Sequence, residues 1–327
     1  MAAVLAILLI PTAKRNASQR QRIPVLELTI EDTLKEDDFK DDSDQHEEKT
    51  VRLLKDGTVY EYPEQVYLTA VVLCEMPPDF EPEALKAQAV AARTFARKQM
   101  QSGKHETADV CSDPACCQAW MGEDALRERY ADRYEEVYRK ASEAVAQTQD
   151  EVLLYDGNLI DATYFSCSGG YTEAAVSVWG TDVPYLQSVV SPGEEKAPRF
   201  SSCVTFAPSE FRELILLSGE NISLTDKPES WIKDVQYTPG GGVDSMQIGN
   251  VSFRGTQIRK LLGLNSTSFT VSVAEDGFTF DVLGFGHRVG MSQYGAENMA
   301  EHGFDYRSIL MYYYQGVRIE KMPASRK

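Results

Sequence analysis

Helical sequence patterns come first along this chain, and strand patterns come later. The helical segments cover residues 63–74, 82–102 and, with a break, roughly 122–147. From residue 151 onward apolar residues alternate with polar ones, and strands and turns fill 230–285 around a short helix. The chain lacks the regular strand–helix alternation that a doubly wound parallel sheet requires. We therefore predict an α+β protein, with a helical N-terminal half packed on a strand-rich C-terminal half around a substrate cleft.

Acidic residues outnumber basic ones in this chain of 327 residues. It has 50 Asp and Glu against 33 Lys and Arg, which gives a net charge of −17. Because affinity for phosphate backbones comes mainly from Lys and Arg, this balance argues against nucleic-acid binding. Ten of the acids lie in residues 31–48 beside two lysines. We predict a disordered acidic linker over 14–50 and one folded region over 51–327.

The chain opens with ten apolar residues, MAAVLAILLI. A membrane-spanning helix needs about 20 such residues, so we interpret residues 1–13 as part of an anchor or as a signal sequence. Four basic residues between positions 14 and 22 follow, and these favour the cytoplasmic side of a membrane. The two observations conflict. We expect an exported protein held at the membrane by this segment.

Glu75 is the first candidate for chemistry. The predicted helix ends there, because Pro77 and Pro78 follow. Unpaired carbonyl groups at a helix end disfavour an ionised carboxylate, and an apolar wall adds a desolvation cost, so both raise the pKa of a glutamate. A glutamic acid that keeps its proton near neutral pH can act as a general acid. The alternative is an ordinary glutamate at the end of a helix.

Lys86 and Arg93 lie seven residues apart on one face of the second predicted helix, which also has an alanine-rich stripe. They either hold polar or anionic groups of a substrate beside Glu75 or form a solvated basic face.

A loop after this helix carries a histidine and three cysteines. His105, Cys111 and Cys117 are separated by five residues each. One imidazole and two thiolates suit Zn²⁺ and leave a coordination position for water or a fourth group. A disulfide between Cys111 and Cys117 is the alternative. Cys116 is either a bystander or another ligand.

Two glycine-rich loops complete the candidate site. SCSGGYTE, residues 166–173, follows a predicted strand and allows the backbone to come close to a ligand. GFGHRVGMSQYGA, residues 284–296, places His287, Gln293 and Tyr294 among four glycines. The second loop lacks the GK[ST] end of a phosphate-binding loop. Either loop can also be a simple turn.

Three long segments resemble the stage II sporulation protein D family, which includes amidase-enhancer-like relatives. They are CEMPPDFEPEALKAQAVAARTFA, the stretch from SGGYTE to VWGTDVPYLQSVVSP, and GHRVGMSQYGAENMAEHGFDYRSIL with the YYYQG that follows it. The resemblance covers roughly residues 60–320. It implies a lytic transglycosylase that cleaves septal peptidoglycan during engulfment, acting on glycan strands without stem peptides. It also implies an N-terminal membrane anchor, exposure to the space between the two cells of the sporangium, and amidase and scaffold partners in an engulfment complex.

The resemblance also implies roles for particular residues. The family's essential acid falls on Glu75, and an arginine of its cleft falls on Arg93. Some clostridial members bind zinc through a histidine and two cysteines, a pattern that fits His105, Cys111 and Cys117. Apart from the resemblance, we expect the glycan to be contacted by Lys86, Ser166, Tyr185, His287, Gln293 and Tyr294. Two positions depart from the family pattern: Gln187 replaces an expected lysine, and Arg288 adds a charge near the cleft.

Two other functions remain open from the sequence. A zinc hydrolase would use the histidine–cysteine loop to activate water. A non-catalytic module would bind peptidoglycan and stimulate a partner amidase.

Overall fold

The computed structural model describes residues 49–274 and 277–322. The predicted apolar segment over 1–13 and nearly all of the predicted linker over 14–50 lie outside these residues, and Thr50 already belongs to the first strand. None of the described helices combines the length and the apolar character needed to cross a membrane.

The helices are α1 Glu64–Glu75, α2 Pro82–Ser102, α3 Glu123–Tyr130, α4 Tyr134–Gln147, α5 Ala175–Trp179, α6 Pro208–Leu216, α7 Gly255–Leu262, α8 Gln293–Glu301 and α9 Tyr306–Tyr313. The strands are β1 Thr50–Lys55, β2 Thr58–Pro63, β3 Val110–Cys111, β4 Glu151–Tyr155, β5 Asn158–Leu159, β6 Tyr164–Phe165, β7 Gly170–Tyr171, β8 Val190–Ser191, β9 Ser201–Phe206, β10 Ile232–Tyr237, β11 Val243–Ile248, β12 Val251–Arg254, β13 Ser268–Ala274, β14 Gly277–Leu283, β15 Met291–Ser292 and β16 Arg318–Lys321. This content confirms the α+β class.

Helix α2 lies at the centre of the main core. It begins with Pro82, which suits a first helical turn, and ends at Gly103 in the left-handed conformation with φ 63°. Helices α1, α4, α8 and α9 and strand β4 pack around it. Such close packing is possible because small side chains cover its surface, and six of its alanines are buried: Ala84, Ala87, Ala89, Ala91, Ala92 and Ala96.

Residues 201–283 build a second core. Two antiparallel sheets, ordered β13–β14–β9 and β10–β11–β12, pack with α6 and α7. Stacked aromatic rings fill it, and the ring centroids of Phe211 and Phe278 are 4.2 Å apart. After this region the chain returns to the main core, where α8 and α9 contact α2 and β16 pairs with β4. Along the chain, the strand-rich part therefore lies between two segments that both belong to the main core.

Strand β15 pairs in parallel with β6, so that Met291 faces Tyr164 and Ser292 faces Phe165. This short pairing joins the two glycine-rich loops. Gly290 permits it, with φ 84°, because a Cβ there would meet the carbonyl oxygen of Thr163 at 2.1 Å.

Candidate active site

Glu75 is the last residue of α1. The chain leaves the helix at Met76 in an extended conformation before the two prolines. The backbone N–H of Ala119 donates to Glu75 Oε1 at 2.8 Å. Burial raises the pKa of Glu75, and hydrogen bonds from Ala119, Gln293 and Tyr164 partly oppose this shift. The carboxyl group is thus held in place by a donor while burial favours its protonated form.

Two pockets meet at Glu75. Pocket A has a volume of about 410 Å³, and pocket B has a volume of about 380 Å³. Glu75, Ser166 and Gln293 line both. Within the part of the chain that the structure describes, Glu75 is the sole carboxylic acid in the lining of either pocket. The geometry therefore places one protonatable carboxyl group where a ligand occupying both pockets would cross from one to the other.

The β6–β15 pairing brings four of the predicted site residues to these pockets. Ser166 and Gln293 lie where the pockets meet, His287 lines pocket A, and Tyr294 lines pocket B. The backbone N–H of Tyr294 donates to the carbonyl oxygen of Ser166 at 3.0 Å, which fixes one loop against the other. Both predicted glycine-rich loops thus contribute to one site.

His287 packs between two aromatic rings, with ring centroids 5.6 Å from Phe165 and 5.5 Å from Trp179. Burial, together with the charge of Arg259, lowers the pKa of His287 to about 4. Its Nδ1 accepts from the backbone N–H of Val289 at 3.1 Å, which assigns the remaining proton to Nε2. A hydrogen bond to the backbone carbonyl of Tyr164 only partly opposes the lowering of this pKa, so at neutral pH His287 lines pocket A as an uncharged imidazole.

Arg93 is not in either pocket. Its side chain is 1 % exposed and lies in the main core, where it donates to the carbonyl oxygens of Thr148 at 2.8 Å and Val145 at 3.0 Å. Its Nε lies 3.5 Å from a carboxylate oxygen of Glu64. The structure therefore places Arg93 in the core and outside the lining of both pockets, which differs from the substrate contact expected from the sequence.

Lys86 and Tyr185 also lie outside the lining of the two pockets. Lys86 Nζ donates to Glu83 at 2.6 Å and faces the ring of Tyr306 on α9. The Tyr185 hydroxyl lies 3.2 Å from a carboxylate oxygen of Asp161. The structure places these two predicted binding residues in contacts between elements of the fold rather than at a pocket.

The two departures from the family pattern have local partners. Arg288 is buried, with its NH1 nitrogen 3.3 Å from Glu173, and it donates to the carbonyl oxygen of Gly240 at 2.7 Å. The charge predicted near the cleft is therefore neutralised in the interior. Gln187 donates to the carbonyl oxygen of Val183 at 2.8 Å within its own turn.

The histidine–cysteine loop forms a compact cluster. One donor atom from each of His105, Cys111, Cys116 and Cys117 lies within 4.8 Å of the other three. His105 Nε2 is 3.2 Å from the Cys117 sulfur. Since all six cysteines of the chain lie in its described part as free thiols, the Cys111–Cys117 disulfide is not formed. The cluster can hold a metal ion, with Cys116 as a fourth donor.

This cluster borders the candidate active site. Cys117 lines pocket A, and Ala119, which donates to Glu75, lies two residues further along the chain. A metal held here would fix the backbone that orients the Glu75 carboxyl group.

A buried polar chain that was not predicted lies behind Glu75. The Tyr67 hydroxyl donates to Gln118 Oε1 at 2.9 Å, and Gln118 Nε2 donates to the Tyr164 hydroxyl at 2.9 Å. Tyr164 in turn hydrogen-bonds Glu75. Arg129 and Tyr130, which line pocket B from α3, were not predicted either. Nothing in the local sequence marks these residues, because their role depends on segments that are far apart along the chain.

The fold and the site thus define an α+β protein with a single carboxyl group at the junction of two pockets. A cluster of one histidine and three cysteines that could bind a metal lies beside it. Comparison with known proteins then identifies its relatives. Residues 55–155 match the family model described as stage II sporulation protein.

The chain is 38% identical over 270 residues to stage II sporulation protein D of Bacillus subtilis, covering 82% of this chain and 77% of that protein. It is 36% identical over 271 residues to the protein of the same name from Bacillus amyloliquefaciens, covering 81% and 76%. An amidase enhancer of Bacillus subtilis is 30% identical over 310 residues, covering 77% of this chain and 40% of the enhancer. The chain belongs to the stage II sporulation protein D family.

Proposed function

We propose that this protein is a peptidoglycan lytic transglycosylase that cleaves the bond between N-acetylmuramic acid and N-acetylglucosamine in glycan strands without stem peptides. The observation that carries the proposal is the position of Glu75, the single acid in the described lining of two adjoining pockets. A glycan strand crossing from pocket A to pocket B would place one glycosidic bond at this residue.

Glu75 first donates its proton to the glycosidic oxygen. The bond from the muramic acid C1 to that oxygen breaks, and C1 acquires oxocarbenium character. The Glu75 carboxylate then removes the proton from the C6 hydroxyl of the same sugar, and that oxygen bonds to C1. The products are a 1,6-anhydromuramyl end and a free 4-hydroxyl on N-acetylglucosamine, with Glu75 protonated again.

One carboxyl group suffices for this sequence of steps because the nucleophile belongs to the substrate. A hydrolase of the usual two-carboxylate type needs a second acid as nucleophile or as base toward water. General acid–base catalysis raises the rate by a factor of about 10²–10⁴, and alignment of the strand in the pockets raises it further.

The neighbouring groups support both protonation states of Glu75. Burial favours the acid before the first transfer, whereas the donors Ala119 and Gln293 stabilise the carboxylate after it. His287 lines pocket A as an uncharged imidazole. Ser166 and Tyr294 are positioned to contact the strand on the side of pocket B.

The chemistry of the donor set fits Zn²⁺, with His105, Cys111, Cys116 and Cys117 as ligands. Four protein ligands make a closed structural site, so zinc would supply stability to the loop that carries Ala119. Such a site leaves no coordination position for a reacting water, which argues against the zinc hydrolase.

The cellular setting is also part of the proposal. Membership in a sporulation family and the apolar segment over residues 1–13 support a protein exported to the septal space of the sporangium and tethered to the membrane. Its partners would be peptidoglycan glycan strands, with an amidase and scaffold proteins of the engulfment complex.

A second candidate function is a non-catalytic module that binds peptidoglycan and stimulates a partner amidase. The 30% identity to an amidase enhancer favours it. In that case Glu75 would be dispensable, because the protein itself would carry out no turnover.

Mass spectrometry of the products from glycan strands distinguishes these functions. Wild-type protein should produce anhydromuramyl ends, and Glu75→Gln should produce none, since the amide keeps the shape but cannot donate and take back the proton. Free reducing ends that survive Glu75→Gln but vanish on chelation would assign the chemistry to the metal cluster. Strand binding without any product from wild type would favour the binding module.

A further inference from the structure

A third pocket, pocket C, lies on helix α7 of the strand-rich region and has a volume of about 440 Å³. Phe285 lines both pocket C and pocket A. The two pockets therefore share one aromatic ring as a wall.

Pocket C is cationic. Arg259 and Lys260 line it, together with the polar side chains of Thr256 and Asn265, and its described lining contains no acid. A further cation, Arg199, lies 4.5 Å over the ring of Phe285. This concentration of positive charge contrasts with the net charge of −17 of the whole chain.

These cations have no anionic partner among residues 49–274 and 277–322. None of the ion pairs of that part of the chain includes Arg259, Lys260 or Arg199. Arg259 is held in place through its Nε, which donates to the carbonyl oxygen of Leu264 at 3.3 Å. Its two terminal nitrogens make no hydrogen bond to the described residues and are left for a ligand. A guanidinium and an ammonium group together are suited to a carboxylate.

Arg259 also lies within electrostatic reach of pocket A, because its charge contributes to the lowered pKa of His287. Pocket C is thus linked to the candidate active site by a shared wall, Phe285, and by the field of Arg259.

We propose, resting on the function proposed above, that pocket C is a subsite that binds a carboxylate carried by the glycan strand. Peptidoglycan offers two sources. One is the lactyl group of a muramic acid without a stem peptide, and the other is a carboxylate of a stem peptide. In both cases Arg259 and Lys260 hold the anion while Phe285 packs against the sugar that leads to it.

The test compares full-length wild type with Arg259→Gln, Lys260→Gln and the double variant, using Arg212→Gln as the control for loss of an exposed arginine on α6. Three substrates are used: strands with free lactyl carboxylates, the same strands with those carboxylates reduced to alcohols, and strands with intact stem peptides. Formation of anhydromuramyl ends gives kcat/KM. Strand binding is measured separately with each substitution placed in a Glu75→Gln background.

On strands with free lactyl groups, the double variant should lose about 10- to 100-fold in binding and in kcat/KM, as expected for loss of charge-assisted hydrogen bonds. Reduction of the carboxylates to alcohols should lower the binding and kcat/KM of wild type by a similar factor. The same change should lower those of the double variant little further. The control should match wild type. A preference of wild type for intact strands, abolished in the double variant, would assign the anion to the stem peptide and would contradict the proposed action on strands without stem peptides.

Equal affinity of wild type and the double variant for carboxylate-bearing strands of both kinds would overturn the subsite. Lys260→Gln decides the question if Arg259→Gln fails to fold, since Lys260 is exposed. If wild type forms no anhydromuramyl ends, the proposed reaction is wrong, but the binding comparison still tests pocket C.

Discussion

At Glu75 burial and hydrogen bonding act on the same proton in opposite directions. Desolvation is the larger effect and raises the pKa, while three hydrogen bonds stabilise the charged form. This balance suits a residue that must both donate and accept one proton in a single turnover. Because burial disfavours the carboxylate, ionisation of Glu75 lowers the stability of the folded state.

We predict a pH dependence for both activity and stability. Because the acid form begins the reaction, kcat/KM should fall as pH rises through the raised pKa of Glu75. The folded state binds this proton more tightly than the unfolded chain, so the contribution of Glu75 to stability is complete below its unfolded pKa and lost as pH rises through the folded value. Thermal unfolding of wild type and Glu75→Gln should show wild type losing stability relative to the variant over this range. Parallel curves for the two proteins would contradict the prediction.

Arg93 illustrates a residue whose importance is structural. We predict that Arg93→Ala destabilises the protein by about 3–5 kcal/mol, because it leaves the partly buried Glu64 with one cation fewer and several carbonyl groups without donors. Chemical denaturation measures this loss. The control is Arg139→Ala, which removes an exposed ion pair with Glu143 on α4 and should change the free energy of unfolding by no more than about 1 kcal/mol. If Arg93→Ala keeps full stability and only binds strands more weakly, its assignment to the core is wrong.

Among the elements, the loop from Lys104 to Ala119 has the largest influence on the site relative to its size. It contributes all four donors of the metal cluster and the backbone N–H that holds Glu75. The pairing of β3 with β1 holds the middle of this segment, and bonds within the cluster would hold His105 and the last two cysteines on either side of it.

We predict that the protein purifies with about one zinc per chain and that Cys116→Ser weakens zinc binding by at least about 10-fold. Elemental analysis and titration with a zinc chelator measure this. Cys203→Ser, an exposed cysteine on β9, should bind zinc as wild type does. Full affinity in Cys116→Ser would show that three ligands suffice and would leave a coordination position open.

The sequence predicted the helices and their ends better than it predicted how they pack against one another. The helix that begins at Pro82 and the position of Glu75 at a helix end follow from local signals, whereas the break predicted within 122–147 was located, at 131–133, only by the structure. The burial of Arg93 could not be predicted, because helical periodicity shows which residues share a face but not that α2 is surrounded on all sides. Tyr164 and Gln118 escaped notice because their hydrogen bonds depend on the pairing of β6 with β15 and on the path of a distant loop.

At the scale of the whole molecule, a buried arginine connects the two cores. Arg288 connects the glycine-rich loops with the region over 201–283 by pairing with Glu173 and donating to Gly240. Its φ of 66° is in the left-handed region, a strained conformation for a non-glycine residue, which its several hydrogen bonds stabilise.

We predict that Arg288→Met destabilises the protein by about 3–5 kcal/mol, because Glu173 is left buried without its cation. The two cores should also unfold less cooperatively. Scanning calorimetry should show one transition for wild type and two for the variant, with Arg212→Met behaving as wild type. A single transition at an unchanged temperature would show that the cores are joined by other contacts.

The pairing of β6 with β15 has a consequence for biosynthesis. Glu75 is made well before His287, Gln293 and the helices α8 and α9 that pack on α2. A nascent or prematurely ended chain therefore has the acid without the walls of its pockets. Under the proposed function, a chain that stops before β15 and α8 would be unable to cleave glycan strands.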